Sequence, residues 1–294
     1  MFQGSCVALI TPMTMGPLGE STVDWDAYDR LLDWHRLSGT QAVVIGGTTG
    51  ESATLEPSEY ERMLAHAVDQ LKGKVLVIAG TGTSSTRQTV SKTQQAAQLG
   101  ADAALVVTPA YNRPSQNGLM AHYLSVADDA TIPIILYNVP SRTAVDLLPE
   151  TAVALSQHPN IVGIKEAVPD EGRVRALVEA GMTVFSGDDP TFVRSMRLGA
   201  KGVISVASNI VPEVMAKLCQ AVASGEEKTA DELNAHLTDL YAFLGVETNP
   251  VPAKWLLAQI GRCSDLLRLP LVSLDSKYHG QGQELVSEIR RLTS

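Results

Sequence analysis

One alternation constrains the fold of this chain more than any other feature. Short apolar runs, many of them β-branched, occur at 6–10, 42–45, 75–78, 104–107, 132–137, 161–164, 183–185 and 202–205, separated by segments long enough for helices. Such runs, without a polar face, read as strands of a parallel sheet, because helices cover both sides of that kind of sheet. Between two of them, Tyr60, Met63, Leu64, Ala67, Val68 and Leu71 follow i, i+3, i+4 spacing behind Pro57, which predicts a helix over 57–71. Ser85-Thr86-Arg87-Gln88 reads as a capping box that starts another. Gly39, Gly100, Gly181 and Gly199 each stand two to four residues before a strand run, as a glycine ending a helix would.

Eight units of helix, glycine and strand predict an α/β fold of the (β/α)8 TIM-barrel type over residues 1–224. An open doubly wound sheet is the alternative. Against it, Gly80-Thr81-Gly82 has Ser85 where a dinucleotide fingerprint needs glycine, and no Walker lysine follows Gly46-Gly47-Thr48-Thr49-Gly50. The alternation stops near residue 210. Leu233, Leu237, Leu240, Tyr241 and Leu244 then form a helical stripe, and Pro250 and Pro252 interrupt the chain before 254–260 resumes it, so 225–294 reads as a C-terminal helical domain.

Composition excludes several classes. A net charge of −9 argues against a nucleic acid or an anionic membrane as the main partner. No apolar run approaches the ~18–20 residues of a membrane span, and Met1-Phe2-Gln3-Gly4-Ser5-Cys6 has no basic leader region. Cys6, Cys219 and Cys263 are scattered and odd in number, which fits a reducing cytoplasm better than a disulfide framework. The six histidines form no HExxH cluster, and the adjacent Asp188 and Asp189 read as loop-shaping or substrate-orienting, so no metal or organic cofactor is expected.

Chemistry in a barrel of this kind sits at the C-terminal strand ends. Lys165 closes the run 161–164 on the rim of a dry core. Desolvation there disfavours an ammonium and favours a free amine able to attack a ketone, although a lysine snorkelling from a strand end satisfies the same pattern. After the second run, Gly46-Gly47-Thr48-Thr49-Gly50-Glu51-Ser52 offers backbone N–H groups and two hydroxyls to a carboxylate, or makes a plain strand-to-helix turn. The fourth run leads to Tyr111 in a proline-bounded loop, and the fifth to Tyr137, with Arg142 a few residues on. A phenol relays protons and a guanidinium grips a carboxylate; a capped strand and a surface arginine are the alternative.

Taken together, Gly47-Thr48-Thr49-Gly50-Glu51-Ser52, Val107-Thr108-Pro109, Tyr137-Asn138-Val139-Pro140 with Arg142-Thr143, Gly163-Ile164-Lys165-Glu166-Ala167, Ser186-Gly187-Asp188-Asp189, Gly202-Val203-Ile204-Ser205-Val206, and Glu247 with Asn249-Pro250-Val251-Pro252-Ala253-Lys254 resemble the dihydrodipicolinate synthase branch of the pyruvate-dependent class I aldolases. N-acetylneuraminate lyase belongs to another branch. The resemblance spans nearly the whole chain and implies a barrel with a C-terminal helical domain. It implies that Lys165 forms a Schiff base with pyruvate, that Thr48 and Thr49 hold the pyruvate carboxylate, and that Thr49, Tyr137 and Tyr111 relay protons. Tyr111 would come from a neighbouring subunit, in a homodimer or a dimer of dimers. Arg142 would bind L-aspartate 4-semialdehyde, while Gly187 and Ile204 would line the pyruvate pocket. Lys254 is expected to serve domain or subunit packing.

Two departures from the branch stand out. Ser141 replaces a glycine before the arginine. Where regulated relatives bind lysine through asparagine, glutamate, histidine and a second tyrosine, this chain has Ser84, Gln88, Tyr60 and Ala110, so lysine inhibition is expected to be weak or absent. The competing readings are a lyase for a 2-keto-3-deoxy sugar acid or sialic acid, whose relatives generally lack the arginine, and a barrel that binds a keto acid without turnover.

Overall fold

Each predicted run becomes a strand in the computed structural model, which describes residues 2–17 and 19–292. The strands are β1 Gly4–Ala8, β2 Met13–Met15, β3 Ser21–Val23, β4 Ala42–Ile45, β5 Leu76–Gly80, β6 Ala103–Val107, β7 Ile134–Asn138, β8 Ile161–Glu166, β9 Val184–Ser186 and β10 Gly202–Ser205. Eight of them close a parallel barrel in the order β1-β10-β9-β8-β7-β6-β5-β4, with β1 pairing β4 to complete the ring. The antiparallel hairpin of β2 and β3 was not expected.

Alternate residues of the strands point inward, and Cys6, Val44, Ile78, Leu105, Ile135, Phe185 and Ile204 fill the interior as a packed core. Phe2 stacks on Phe185 with 4.3 Å between ring centroids. The outward residues meet the helices. Pro57–Leu71 is a helix with Tyr60, Met63, Leu64, Ala67 and Leu71 buried, as its spacing predicts. The four glycines before strands all have positive φ, between +78° and +111°, which L side chains rarely adopt. The capping box at Ser85 is half formed: its side chain accepts from the Gln88 N–H, but its own N–H donates to the Thr83 hydroxyl instead of to Gln88.

Past the barrel, the predicted leucine stripe divides between helices Glu227–His236 and Thr238–Leu244, followed by Val251–Gln259 and His279–Leu292. Leu237, Leu240, Phe243, Trp255 and Leu285 share one apolar core with Leu9, Ile10, Tyr28 and Leu31 of the barrel side. These helices therefore pack on the barrel as part of the same hydrophobic mass. No helix of the described residues is long and apolar enough to cross a membrane.

Two buried histidines give this packing a pH dependence. His35 Nδ1 lies 3.0 Å from the Thr40 hydroxyl, its Nε2 has no hydrogen-bond partner among the described residues, and burial pushes its pKa from 6.5 down to about 3. His122, beside Thr86, is lowered by burial to about 4. Because the folded value lies below the unfolded one, the unfolded chain binds more protons in acid. This contribution to stability is complete above about pH 6.5 and is lost as pH falls toward the folded values. Each histidine removes up to about 1.4 kcal/mol per pH unit in that window. Burial raises Glu166 and Asp189, which opposes this trend, so the informative quantity is a difference between proteins. His35→Gln is expected to lose less thermal midpoint than the parent between pH 7 and 5; parallel melting curves would refute the assignment.

Candidate active site

Strand register brings the two key side chains together. Tyr137 of β7 and Lys165 of β8 are paired Cα partners, so both project into the barrel mouth from neighbouring strands. The Lys165 Nζ lies 4.3 Å from the centroid of the Tyr137 ring, and both residues are buried. Lys165 stands within its strand, which continues to Glu166, one residue beyond the predicted end. The amine opens into a cavity of about 240 Å³ lined by Thr48, Thr49, Tyr137, Arg142, Lys165 and Gly187, with Val107, Asp188, Val206 and Asn249 among its other walls.

One end of the cavity is formed by the turn after β4. Within residues 47–52, the N–H groups of Gly50, Glu51 and Ser52 donate to the carbonyls of Gly47, Thr48 and Gly47, which leaves the Thr48 and Thr49 N–H groups outside this internal ladder. The Thr11 hydroxyl anchors the turn by donating to the Gly50 carbonyl at 2.7 Å. Glu51 holds a left-handed φ of +57°, and its buried carboxylate pairs with Lys254 Nζ at 2.6 Å. Its second oxygen accepts the Arg268 N–H at 3.0 Å. Lys254 thus serves packing, as expected, and burial lowers its pKa against the pull of Glu51.

Gly187 leaves the amine room. A Cβ built there would lie 2.8 Å from Lys165 Cε and 2.9 Å from Ala167 Cβ, and its N–H donates to the Glu166 carbonyl at 2.7 Å. Beside it, burial raises the pKa of Asp189, whose Oδ2 accepts the N–H groups of Val206 and Ala207 at 3.0 and 2.8 Å. Asp188 accepts from the Thr191 hydroxyl at 2.6 Å. Both aspartates shape loops, and Asp188 also lines the cavity.

The loop that carries Arg142 is tied down from below. Asn138 donates to Asp146 and Glu166 and accepts the Leu147 N–H, while Arg173 forks onto Asp146 with two contacts of 3.0 Å and also reaches Glu166. Burial pushes the Glu166 carboxyl up, against the Val168 N–H and the Arg173 guanidinium. Ser141 lies inside the short helix Pro140–Thr143, a conformation that serine adopts without strain. Arg142 itself is exposed on the cavity wall and donates to the Asn249 carbonyl at 3.3 Å.

Two expected site residues are not brought to this cavity. Ile204 is 1% exposed within the barrel interior, and the wall above it on that side is formed by Val206. Tyr111 is 95% exposed, with φ at +71°, and does not line its own chain's cavity. Asn249 was not singled out from sequence as a site residue, yet its Nδ2 donates to the Thr49 hydroxyl at 2.8 Å. Its signals were its place in the Asn249-Pro250-Val251-Pro252-Ala253-Lys254 motif of the resemblance and in the segment that breaks the C-terminal helices.

Residues 1–289 match the Dihydrodipicolinate synthetase family. The 4-hydroxy-tetrahydrodipicolinate synthase of Cellvibrio japonicus is 47% identical over 96% of this chain and 97% of its own length, and that of Xylella fastidiosa is 49% identical over 98% and 95%. Among solved structures, the chloride-inhibited dihydrodipicolinate synthase of Acinetobacter baumannii complexed with pyruvate matches with a TM-score of 0.94 at 42% identity, covering 99% of both chains.

Proposed function

Since the chain belongs to the dihydrodipicolinate synthetase family, we propose that Lys165, Tyr137 and the 47–52 turn carry out 4-hydroxy-tetrahydrodipicolinate synthesis from pyruvate and L-aspartate 4-semialdehyde. The enzyme is a pyruvate-dependent Schiff-base lyase of the diaminopimelate route to lysine. The Lys165 amine adds to C2 of pyruvate and water leaves, giving an iminium that acts as an electron sink. Thr48 and Thr49 hold the carboxylate. The methyl carbon then gives a proton to Tyr137 as the phenol passes its own along the hydroxyl relay, and the resulting enamine attacks the aldehyde carbon, whose oxygen takes up a proton from that relay to become a hydroxyl. Arg142 holds the second substrate by its carboxylate, which makes the addition effectively intramolecular. Finally the substrate's amino group attacks C2, closes the ring and expels Lys165. The protein's own side chains supply each of these steps.

The observation that carries this reading is the paired register of Tyr137 and Lys165, which sets amine over phenol at the mouth of a cavity walled by Thr48, Thr49 and Arg142. A guanidinium at that wall suits a second carboxylate better than the polyhydroxylated chain of a sugar acid. Exposure of Tyr111 supports a homo-oligomer in which a second copy receives it, in a dimer or a dimer of dimers. The three free cysteines support a cytoplasmic enzyme. The test is a coupled assay: pyruvate plus aspartate semialdehyde, with excess dihydrodipicolinate reductase and NADPH loss followed. Oxidation that depends on the enzyme supports the assignment; a folded protein that turns over only sugar-acid aldehydes overturns it.

Lysine is expected to be a poor inhibitor. Gln88 offers no carboxylate to an ammonium, the Ser84 hydroxyl is committed to the Ala110 carbonyl at 2.8 Å, and Lys92 already sets its own amine 4.6 Å above the Tyr60 ring. A second ammonium would meet a like charge there. Initial rates at saturating lysine should match those without it; halving of the rate would contradict the expectation.

A further inference from the structure

A threonine hydroxyl serves a proton relay only if its own proton faces the reacting atoms. A hydroxyl carries one donor and two acceptor positions, so whatever donates to it decides where its proton goes. In the cavity wall, the Asn249 Nδ2 donates to Thr49 Oγ1 at 2.8 Å and occupies an acceptor position from the side of the C-terminal helices. The same residue's backbone carbonyl accepts from Arg142 Nη2 at 3.3 Å. One residue, 200 positions from Thr49, therefore touches the groups assigned to both substrates.

We propose that Asn249 is a positioning residue for the condensation, its amide N–H turning the Thr49 proton into the cavity while its carbonyl seats the Arg142 guanidinium. This rests on the reaction proposed above. Two further observations support it. Asn249 Oδ1 is buried without a hydrogen-bond partner among the described residues, so the donation from Nδ2 to Thr49 is the one hydrogen bond that the side-chain amide makes there. Parallel to the Thr49–Asn249 contact runs the buried pair Glu51–Lys254, two residues further along the turn and five further along the C-terminal segment. These two rungs hold Asn249 against the turn, so the helices after the barrel complete the active site.

Asn249→Asp separates positioning from packing because it keeps the shape and reverses the hydrogen bond. A carboxylate only accepts, so the Thr49 proton would swing toward it and away from the cavity. A protonated carboxyl donates as the amide does. The expected result at neutral pH is a fall in kcat of about 10–100-fold, below the roughly 10²–10⁴-fold that a positioned acid–base group contributes, because the hydroxyl is misdirected and not removed. KM for the semialdehyde should stay near the parent value, since the contact with Arg142 is through backbone. The ratio of variant to parent kcat should rise as pH is lowered. Initial rates of borohydride trapping with pyruvate alone should fall in the same variant, a readout independent of the second substrate.

Asn249→Ala is the companion variant, with melting curves for all proteins; if it unfolds, Asn249→Asp still decides. Parent-like kcat and trapping in Asn249→Asp would overturn the proposal, because an amide facing the other way would make the carboxylate harmless. A deficit that does not change with pH would overturn it too. If the parent traps pyruvate but does not turn over the semialdehyde, the substrate assignment fails, and the trapping rates still report on Asn249.

Discussion

Lys165→Ala is expected to reduce turnover of pyruvate and aspartate semialdehyde by about 10⁴-fold or more while leaving the barrel folded. Without the amine no iminium forms, and the methyl carbon has no electron sink adjacent to it. The substitution removes atoms that already face a cavity of about 240 Å³, so it leaves no new void sealed inside the packed interior. Lys165→Arg should fail as completely, because a guanidinium stays protonated and does not condense with a ketone. The comparison removes charge as an explanation. Parent and variants are compared by coupled assay and by circular dichroism. A variant that keeps a tenth of the parental kcat would show that the carbon chemistry does not pass through this residue.

The second large effect concerns stability. Glu51 and Lys254 meet at 2.6 Å with side-chain exposures of 1% and 0%. Two charges removed from water hold each other at a high desolvation cost, so such a pair contributes little net stability over an apolar replacement. Breaking it is different. Glu51→Ala strands a buried ammonium and leaves the Arg268 N–H without its acceptor, and should cost about 3–5 kcal/mol, or a fall of roughly 5–10 °C in Tm. Because the pair braces the turn that carries Thr48 and Thr49, KM for pyruvate should rise in the same variant. Replacing both partners, Glu51→Gln with Lys254→Met, should recover most of the stability without restoring KM. Equal melting temperatures for the parent and Glu51→Ala would contradict this picture of the latch.

Much of the barrel was legible because a strand buried on both faces must be apolar throughout. Runs 42–45 and 202–205 coincide with β4 and β10 to the residue. The hairpin escaped notice for the opposite reason: Met15 and Thr14 are exposed, and three residues are too few to establish alternation. Lys165 and Tyr137 stood out because strand ends in a barrel mark the site. That they would be neighbours in register depends on barrel closure, which no single segment encodes. Ile204 illustrates the reverse. Its strand was read correctly, but inward-facing residues on one strand lie at different depths, and Ile204 packs below the cavity. Asn249 stood in a motif of the resemblance without being given a role, because its contact with Thr49 spans 200 residues and a local pattern carries no sign of that.

The most direct measurement is to reduce the mixture of enzyme and pyruvate with borohydride and map the modified peptide by mass spectrometry. The expected result is one stoichiometric adduct on the peptide containing Lys165, absent from Lys165→Ala. Labelling at Lys92 or Lys254 instead, or no pyruvate-dependent labelling in a folded enzyme, would contradict Lys165 as the Schiff-base residue.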